Sequence, residues 1–330
     1  MAHDVRECRR SHLVLVAAMT RRILWSVTLA ACVIAAHAHA QPQGARRELI
    51  VCGWDEVFIL DLDAKPDGDA TSAKNPRRVW SWRAQDRPEL PAEFKPLFKT
   101  TDECKPYDAG ARILITSSGG GVALVNRADG RVLFHARVTN AHSAELLPNN
   151  RVAVAASHNQ AGKGDRLIVF DLAKSNAEIL SEELPWGHGV VWDAQRNRLW
   201  ALADKDLRVF ELRDWDTRSP GLRRVDLIPL PEGMGHNLSP VPGSPALAIS
   251  TTNHCWLFDR ETKTFRPHPE LGEARHIKSI SYHPVTGQLA YVQAEGDNWW
   301  AERIHFRQPA GDIHVAGEHF YKVRWNLSGR

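Results

Sequence analysis

Cysteine, methionine and tyrosine are scarce in this 330-residue chain, with 5, 3 and 4 copies. The cysteines show no paired metal-type spacing, which excludes a zinc-finger module, and they are too sparse for a disulfide-built scaffold. Glycine (22) and proline (19) fall well short of a collagen-like or low-complexity chain. No apolar run reaches the roughly 20 residues of a membrane-spanning helix. Beyond residue 40 no stretch carries the apolar stripe of an amphipathic helix, so a helical bundle is excluded. Tryptophan is abundant by contrast. Twelve copies of the largest flat side chain either fill a core between sheets or form platforms for a ligand.

Residues 1–40 read as a secretory signal. Arg21 and Arg22 precede the apolar run from Ile23 to Ala36, and Ala38-His39-Ala40 supplies the small-x-small pattern of a cleavage site. Thr20 to Leu24 also faintly resembles a twin-arginine signal. A periplasmic or secreted location is therefore expected, with no membrane span once the signal is removed. That segment holds five of the 42 Lys and Arg and two of the 39 Asp and Glu, which leaves 37 of each sign in the remainder. The formal +3 thus belongs to the leader, and without a basic footprint no nucleic-acid partner is expected. Cys52, Cys104 and Cys255 stay behind; one Cys52–Cys104 bridge and buried free thiols are both open.

Short strand pairs then recur at a fixed period. They are Glu48 to Leu62, Arg112 to Arg127, Arg151 to Leu172, Arg198 to Arg213, Ala246 to Arg260 and Gln288 to Phe306, each with the period-two alternation of half-buried strands. A further strand precedes each pair, and one polar residue marks its start: Asp102, His142, His188, His236 and Lys278, separated by 40, 46, 48 and 42 residues. A sixth copy, Tyr321 to Trp325, lies at the C-terminus with Lys322 in register, and its continuation is Glu48 to Leu62 at the beginning. A period of about 40–50 residues whose last strand completes the first unit signals a closed ring without sheet edges. The sequence therefore predicts an all-β fold: a six-bladed β-propeller over residues 46–326, closed by the C-terminal strand and expected to be a monomer. Outer strands are expected at Arg77–Arg83, Arg131–Val138, Ala177–Leu184, Leu222–Leu230, Lys263–Pro267 and Asp312–Gly317. Trp80, Trp82, Trp192, Trp200 and Trp256 sit on strands and suit packing between blades.

In this register Asp102, His142, His188, His236, Lys278 and Lys322 ring the channel mouth, one from each blade. Buried charges and imidazoles are unfavourable unless satisfied, so polar residues repeated at one level form a candidate catalytic ring. The bland alternative is a water-filled channel lined by tolerated polar groups. His142, His188 and His236 are candidate ligands for a divalent transition metal such as Mn, Zn or Fe, and a metal-free site with His as general base is also consistent. Lys278 and Lys322 suit a small anionic ligand; a Lys322–Asp102 ion pair is the structural alternative. Loops on the same face carry the candidate substrate-binding residues Trp54, Trp186, His158, His254, Trp299 and Trp300. The triplet Gly119-Gly120-Gly121 suits a tight hairpin better than a phosphate cradle.

The stretches ELIVCGWDEVFILDL, FKTTDECKP, LITSSGGGVALV, NAHSAELLP, GHGVVWD, LSPVPGS and VQAEGDNWWAERI together resemble an exported bacterial propeller family of unknown function. That resemblance implies the fold and supplies no activity. A more distant likeness is to oligogalacturonate lyases, propellers whose His residues and a Gln hold manganese at the channel mouth. Here the three His are similar in kind, but six blades replace seven and no matching Gln is found. The expected function is a secreted carbohydrate-active enzyme, a lyase or hydrolase acting on an acidic or oxidised sugar. The alternative is a non-catalytic propeller that binds a glycan or a protein.

Overall fold

The computed structural model describes residues 46–64 and 76–328. The leader assigned to residues 1–40 lies outside the described residues, as does most of the polar excursion after Asp63. Six four-stranded antiparallel sheets make up the described chain. Blade one runs, from the channel outward, through Lys322–Ser328, Arg46–Gly53, Glu56–Asp61 and Arg77–Arg83. The C-terminal strand is thus the innermost strand of the first sheet, paired along its length with Arg46–Cys52. The other five innermost strands are Thr101–Tyr107, Ala141–Leu147, Gly189–Asp193, Asn237–Pro240 and Ile277–Tyr282. The outermost strands of blades two to six, Val132–Arg137, Glu178–Glu183, Gly221–Pro229, Thr264–Pro267 and Gly311–His314, fall within three residues of the positions expected from the repeat. The architecture is the six-bladed β-propeller that the spacing predicts.

The core is divided among the blade interfaces, because alternate side chains of a strand leave opposite faces of its sheet. In blade one Ile50, Cys52, Val57 and Ile59 pack with Cys104, Ile113 and Ile115 of blade two. Their neighbours Leu49, Val51, Phe58 and Leu60 pack the other way, with Val292, Ile304 and Val323. Equivalent clusters fill the remaining four interfaces. Trp82 and Trp200 are buried in this packing, and Trp80, Trp192 and Trp256 lie against it. Trp80 and Trp82 also donate their indole N–H groups to the Arg127 and Gly130 carbonyls of blade two, at 2.8 and 3.1 Å. Cys52, Cys104 and Cys255 are free and buried, so the thiol alternative holds in this structure. Among the described residues no helix is long and apolar enough to cross a membrane.

Candidate functional site

The inner strands of three blades begin with a β-bulge, and the extra residue is one of the marks. Pairing slips between Thr101 and Glu103, between Ala141 and Ser143, and between Ile277 and Ser279. Asp102, His142 and Lys278 are the residues skipped. A bulge leaves one residue outside the ladder and re-aims its side chain, which brings these three to the channel mouth. His188 and His236 reach the same level without a bulge, each donating its backbone N–H to the end of the neighbouring strand, at Leu202 and Ser250. In blade one the residue that makes this bond is Tyr321, to Cys52 at 2.8 Å. Tyr321 therefore completes the ring, and Lys322 lies one residue deeper than the repeat spacing implies. Lys322 corresponds in register to Gly189 and Asn237, and the C-terminal copy has no following strand in the chain from which the ring position can be counted back.

The ring side chains touch. The His142 and His188 imidazoles stack at 4.4 Å between centroids and 26° between planes, and His236 meets His188 edge-on at 5.2 Å. His142 Nδ1 lies 3.2 Å from Asp102 Oδ1, without hydrogen-bond alignment, while the other Asp102 oxygen accepts the Ser118 backbone N–H. His188 Nδ1 bonds the Trp186 carbonyl at 2.7 Å. A carbonyl only accepts, so Nδ1 carries the proton and the neutral ring has its lone pair on Nε2. Lys278 Nζ lies 3.4 Å from His236 Nε2 and has no carboxylate partner among the described residues.

Burial dominates the protonation of this cluster. It pushes the His188 imidazole well below its usual value, and the neighbouring His142 and His236 add to the effect. His236 is lowered in the same way, by burial and then by the Lys278 ammonium. Lys278 itself is brought down to about 8 by burial. At neutral pH the His188 and His236 imidazoles are thus neutral and stand beside one uncompensated cation.

The sequence also offers the three His as ligands for a metal. Lone pairs lie in the ring plane, so two stacked imidazoles direct theirs side by side instead of toward a common point. Among the described residues no group of three or more His, Cys, Asp or Glu is arranged to hold a metal ion.

The family's sequence profile matches residues 56–329. The chain belongs to the Family of unknown function (DUF6528). No curated protein matches it. One solved structure with a similar fold is a chain of a Nidogen/Laminin complex, at a TM-score of 0.57 and 12% identity over 86% of this chain and 100% of that one. At that identity the likeness concerns fold alone.

In this DUF6528 propeller the loop tryptophans divide. Trp54 and Trp299 are exposed and meet edge-to-face at 5.3 Å, and Trp299 meets Tyr321 at 5.5 Å, so both join the ring. Trp186 is exposed and stacks on His158 at 4.6 Å and 15°. His158 is held by Asp165 at 2.8 Å. Trp300 packs on His319 at 3.8 Å, behind Trp54. His254 stands apart, against Trp256 and with Glu232 at 3.2 Å, and makes no contact with the imidazole cluster. Gly119-Gly120 turns a hairpin between two strands of blade two and lines a polar cavity of about 420 Å³ with Arg137 and Asn140.

Below the ring, the channel is closed by a polar plug. Glu103, fully buried, takes two hydrogen bonds from Arg324, one from Ser143 at 3.1 Å, and has Lys322 at 3.5 Å. Arg324 also reaches Asn237 and Ser279. Lys322 is therefore paired with Glu103 and not with Asp102. Burial alone would raise the Glu103 carboxyl, but Arg324, Lys322 and Lys105 outweigh it and hold the group well below the usual range. At the opposite mouth a cavity of about 290 Å³ lies between Trp192, Pro240, Tyr282 and Trp325, floored by Lys105 and Glu145 at 2.8 Å. It is more apolar than the ring and contains none of the candidate residues. The plug escaped the sequence reading, although one signal was present: Glu103, Ser143, Asn237 and Ser279 each directly follow a marked residue.

Proposed function

We propose that the ring mouth binds an acidic sugar and moves a proton on it, acting as a carbohydrate lyase or hydrolase. The observation that carries this reading is Lys278, a cation without a carboxylate partner among the described residues, set beside His236 and within the cluster of imidazoles. An anion fits such a place, and the exposed rings of Trp54 and Trp299 offer faces for a sugar. In the lyase version Lys278 holds the sugar carboxylate and His188 Nε2 takes the proton from the adjacent carbon. A carbon–carbon double bond forms, the bond from the next carbon to the glycosidic oxygen breaks, and that oxygen receives the proton His188 has taken up. The leader pattern at Arg21-Arg22 and Ala38-His39-Ala40 supports an exported setting, where such polymers are met.

Incubation of the protein with uronate oligosaccharides and with neutral ones tests this. Unsaturated products from the uronates alone are expected; cleavage without a double bond would make it a hydrolase. Binding without turnover of any substrate would favour the second reading, a non-catalytic glycan- or protein-binding propeller, which the tight His142–His188 stack supports because it restricts both rings. A metal-assisted version, with Mn, Zn or Fe on His142, His188 and His236, requires the stack to open. Metal analysis of the purified protein, with activity measured before and after chelation, separates it from the metal-free version.

A further inference from the structure

The two most exposed tryptophans of this face, Trp54 and Trp186, share an unusual backbone. Their φ angles are 42° and 50°, a left-handed conformation that bulky side chains seldom adopt. Both turns are pinned. Thr101 donates its N–H to the Trp54 carbonyl at 2.6 Å, and Gly53 lies so close to the His319 carbonyl that a Cβ would fall 1.6 Å from its oxygen. The Trp186 N–H is held by Asp165 at 2.7 Å, and its carbonyl accepts from His188.

Their positions in the ring are opposed. Trp54 contacts Trp299 and so bridges blades six and one, whereas Trp186 stacks on His158 where blade three passes to blade four. In a six-membered ring those two junctions face each other across the channel. Between them aromatic contacts run from Trp54 as far as His188, and the last link is a hydrogen bond to the Trp186 backbone carbonyl. From Trp54 the path runs to Trp299 at 5.3 Å, to Tyr321 at 5.5 Å, to His142 at 6.3 Å and to His188 at 4.4 Å, whose Nδ1 reaches Trp186. Trp54, Trp299 and Trp186 are exposed whereas Tyr321 and His188 are buried, so open ring faces are offered at the two rims.

We propose that this belt is a track for a polysaccharide chain of several sugar units lying across the whole channel mouth, with Trp54 and Trp186 stacking on units at either end and the imidazole cluster at the centre. A single sugar would engage one end of the belt or the centre, but not both rims. The chain is thus gripped internally, and its ends run out over opposite blades. The inference deepens the reading given above, because it rests on the same face binding sugars.

Calorimetric titration with uronate oligomers of one to six units, and with matched neutral glucose oligomers, tests it. Affinity should rise with length until the belt is spanned. Trp54→Ala and Trp186→Ala should each weaken the six-unit oligomer roughly tenfold, about the loss of one aromatic contact, and the double variant should lose most of the rise of affinity with length. Trp54→Phe should restore most of the loss, and unchanged thermal melting would show that the variants fold. A six-unit oligomer that binds no better than the monomer overturns the track while leaving the acidic-sugar reading intact. Trp-dependent binding of the neutral series alone supports the track and removes the acidic reading. Absence of binding in both series overturns both.

Discussion

Arg324 holds Glu103 through two parallel hydrogen bonds, Nε to Oε1 at 2.8 Å and Nη2 to Oε2 at 2.9 Å, although the two residues stand 221 positions apart. The pair joins the C-terminal strand to the inner strand of the neighbouring blade two, so it complements the edge-to-edge pairing that closes blade one. Removing one partner of a buried ion pair leaves the other charge without compensation, a loss of roughly 3–5 kcal/mol. Arg324→Met should lower unfolding stability by that order in urea titrations. The double variant Glu103→Gln with Arg324→Met should recover only a part of it, because the Glu103 charge is no longer stranded but Lys322 loses its carboxylate. If Arg324→Met left the urea midpoint unchanged, the pair would have no role in closing the ring.

Acid should destabilise the protein in two separate windows. His268 is brought down from 6.5 to about 4, mainly by burial, and burial also lowers His188 and His236. Between about 6.5 and about 4 the unfolded chain binds these protons before the native one does, so stability falls as pH drops. Glu103 behaves differently. Its depressed value means that its contribution is present above 4.5 and is lost only as the pH falls well below that, toward its native value. Stability from urea titrations should therefore already be lower at pH 5 than at pH 7, by roughly 2 kcal/mol from His268 and further from His188 and His236. A flat profile across that interval would mean that the imidazoles accept protons in the native state.

The fold was legible because it is repetitive. Six copies of the same alternating pattern, with the odd copy at the wrong end of the chain, leave few ways to avoid exposed edges. The level of the polar ring was legible for the same reason, apart from blade one. There, counting from one mark to the next selects Lys322, because no following strand fixes the count, and the pairing with Arg46–Cys52 puts Tyr321 at the ring position. Bulges leave no period in the sequence, since they add one residue within loops whose lengths already vary. The plug was harder still. Glu103 and Arg324 are separated by almost the entire chain, and their pairing depends on closure of the ring.

Binding of an acidic ligand should weaken as pH rises through about 8, where Lys278 loses its proton. An ammonium attracts the ligand carboxylate and a neutral amine does not, so affinity should be level below that pH and fall above it, by up to tenfold per unit. Lys278→Met should remove both the affinity and the break in the profile, whereas Lys278→Arg should retain affinity and shift the break upward. The measurement is the dissociation constant of a uronate oligomer from pH 6 to pH 10 at fixed ionic strength. A profile without a break near 8, in the wild-type protein, would assign the carboxylate to another cation.

His188 should matter for turnover far more than for binding. Its Nδ1 is committed to the Trp186 carbonyl and its Nε2 has the lone pair, which is the arrangement of a general base. General-base catalysis contributes typically about 10²–10⁴-fold, so His188→Ala should lower kcat by that range while KM changes little. A His188→Gln variant can keep the bond to the Trp186 carbonyl through its amide N–H but offers no basic nitrogen. It should therefore hold the Trp186 turn in place, bind oligomers as the wild-type protein does, and still fail to turn them over. If the Gln variant retained activity, His188 would be only a support for Trp186, and the proton would have to leave through His142 or His236.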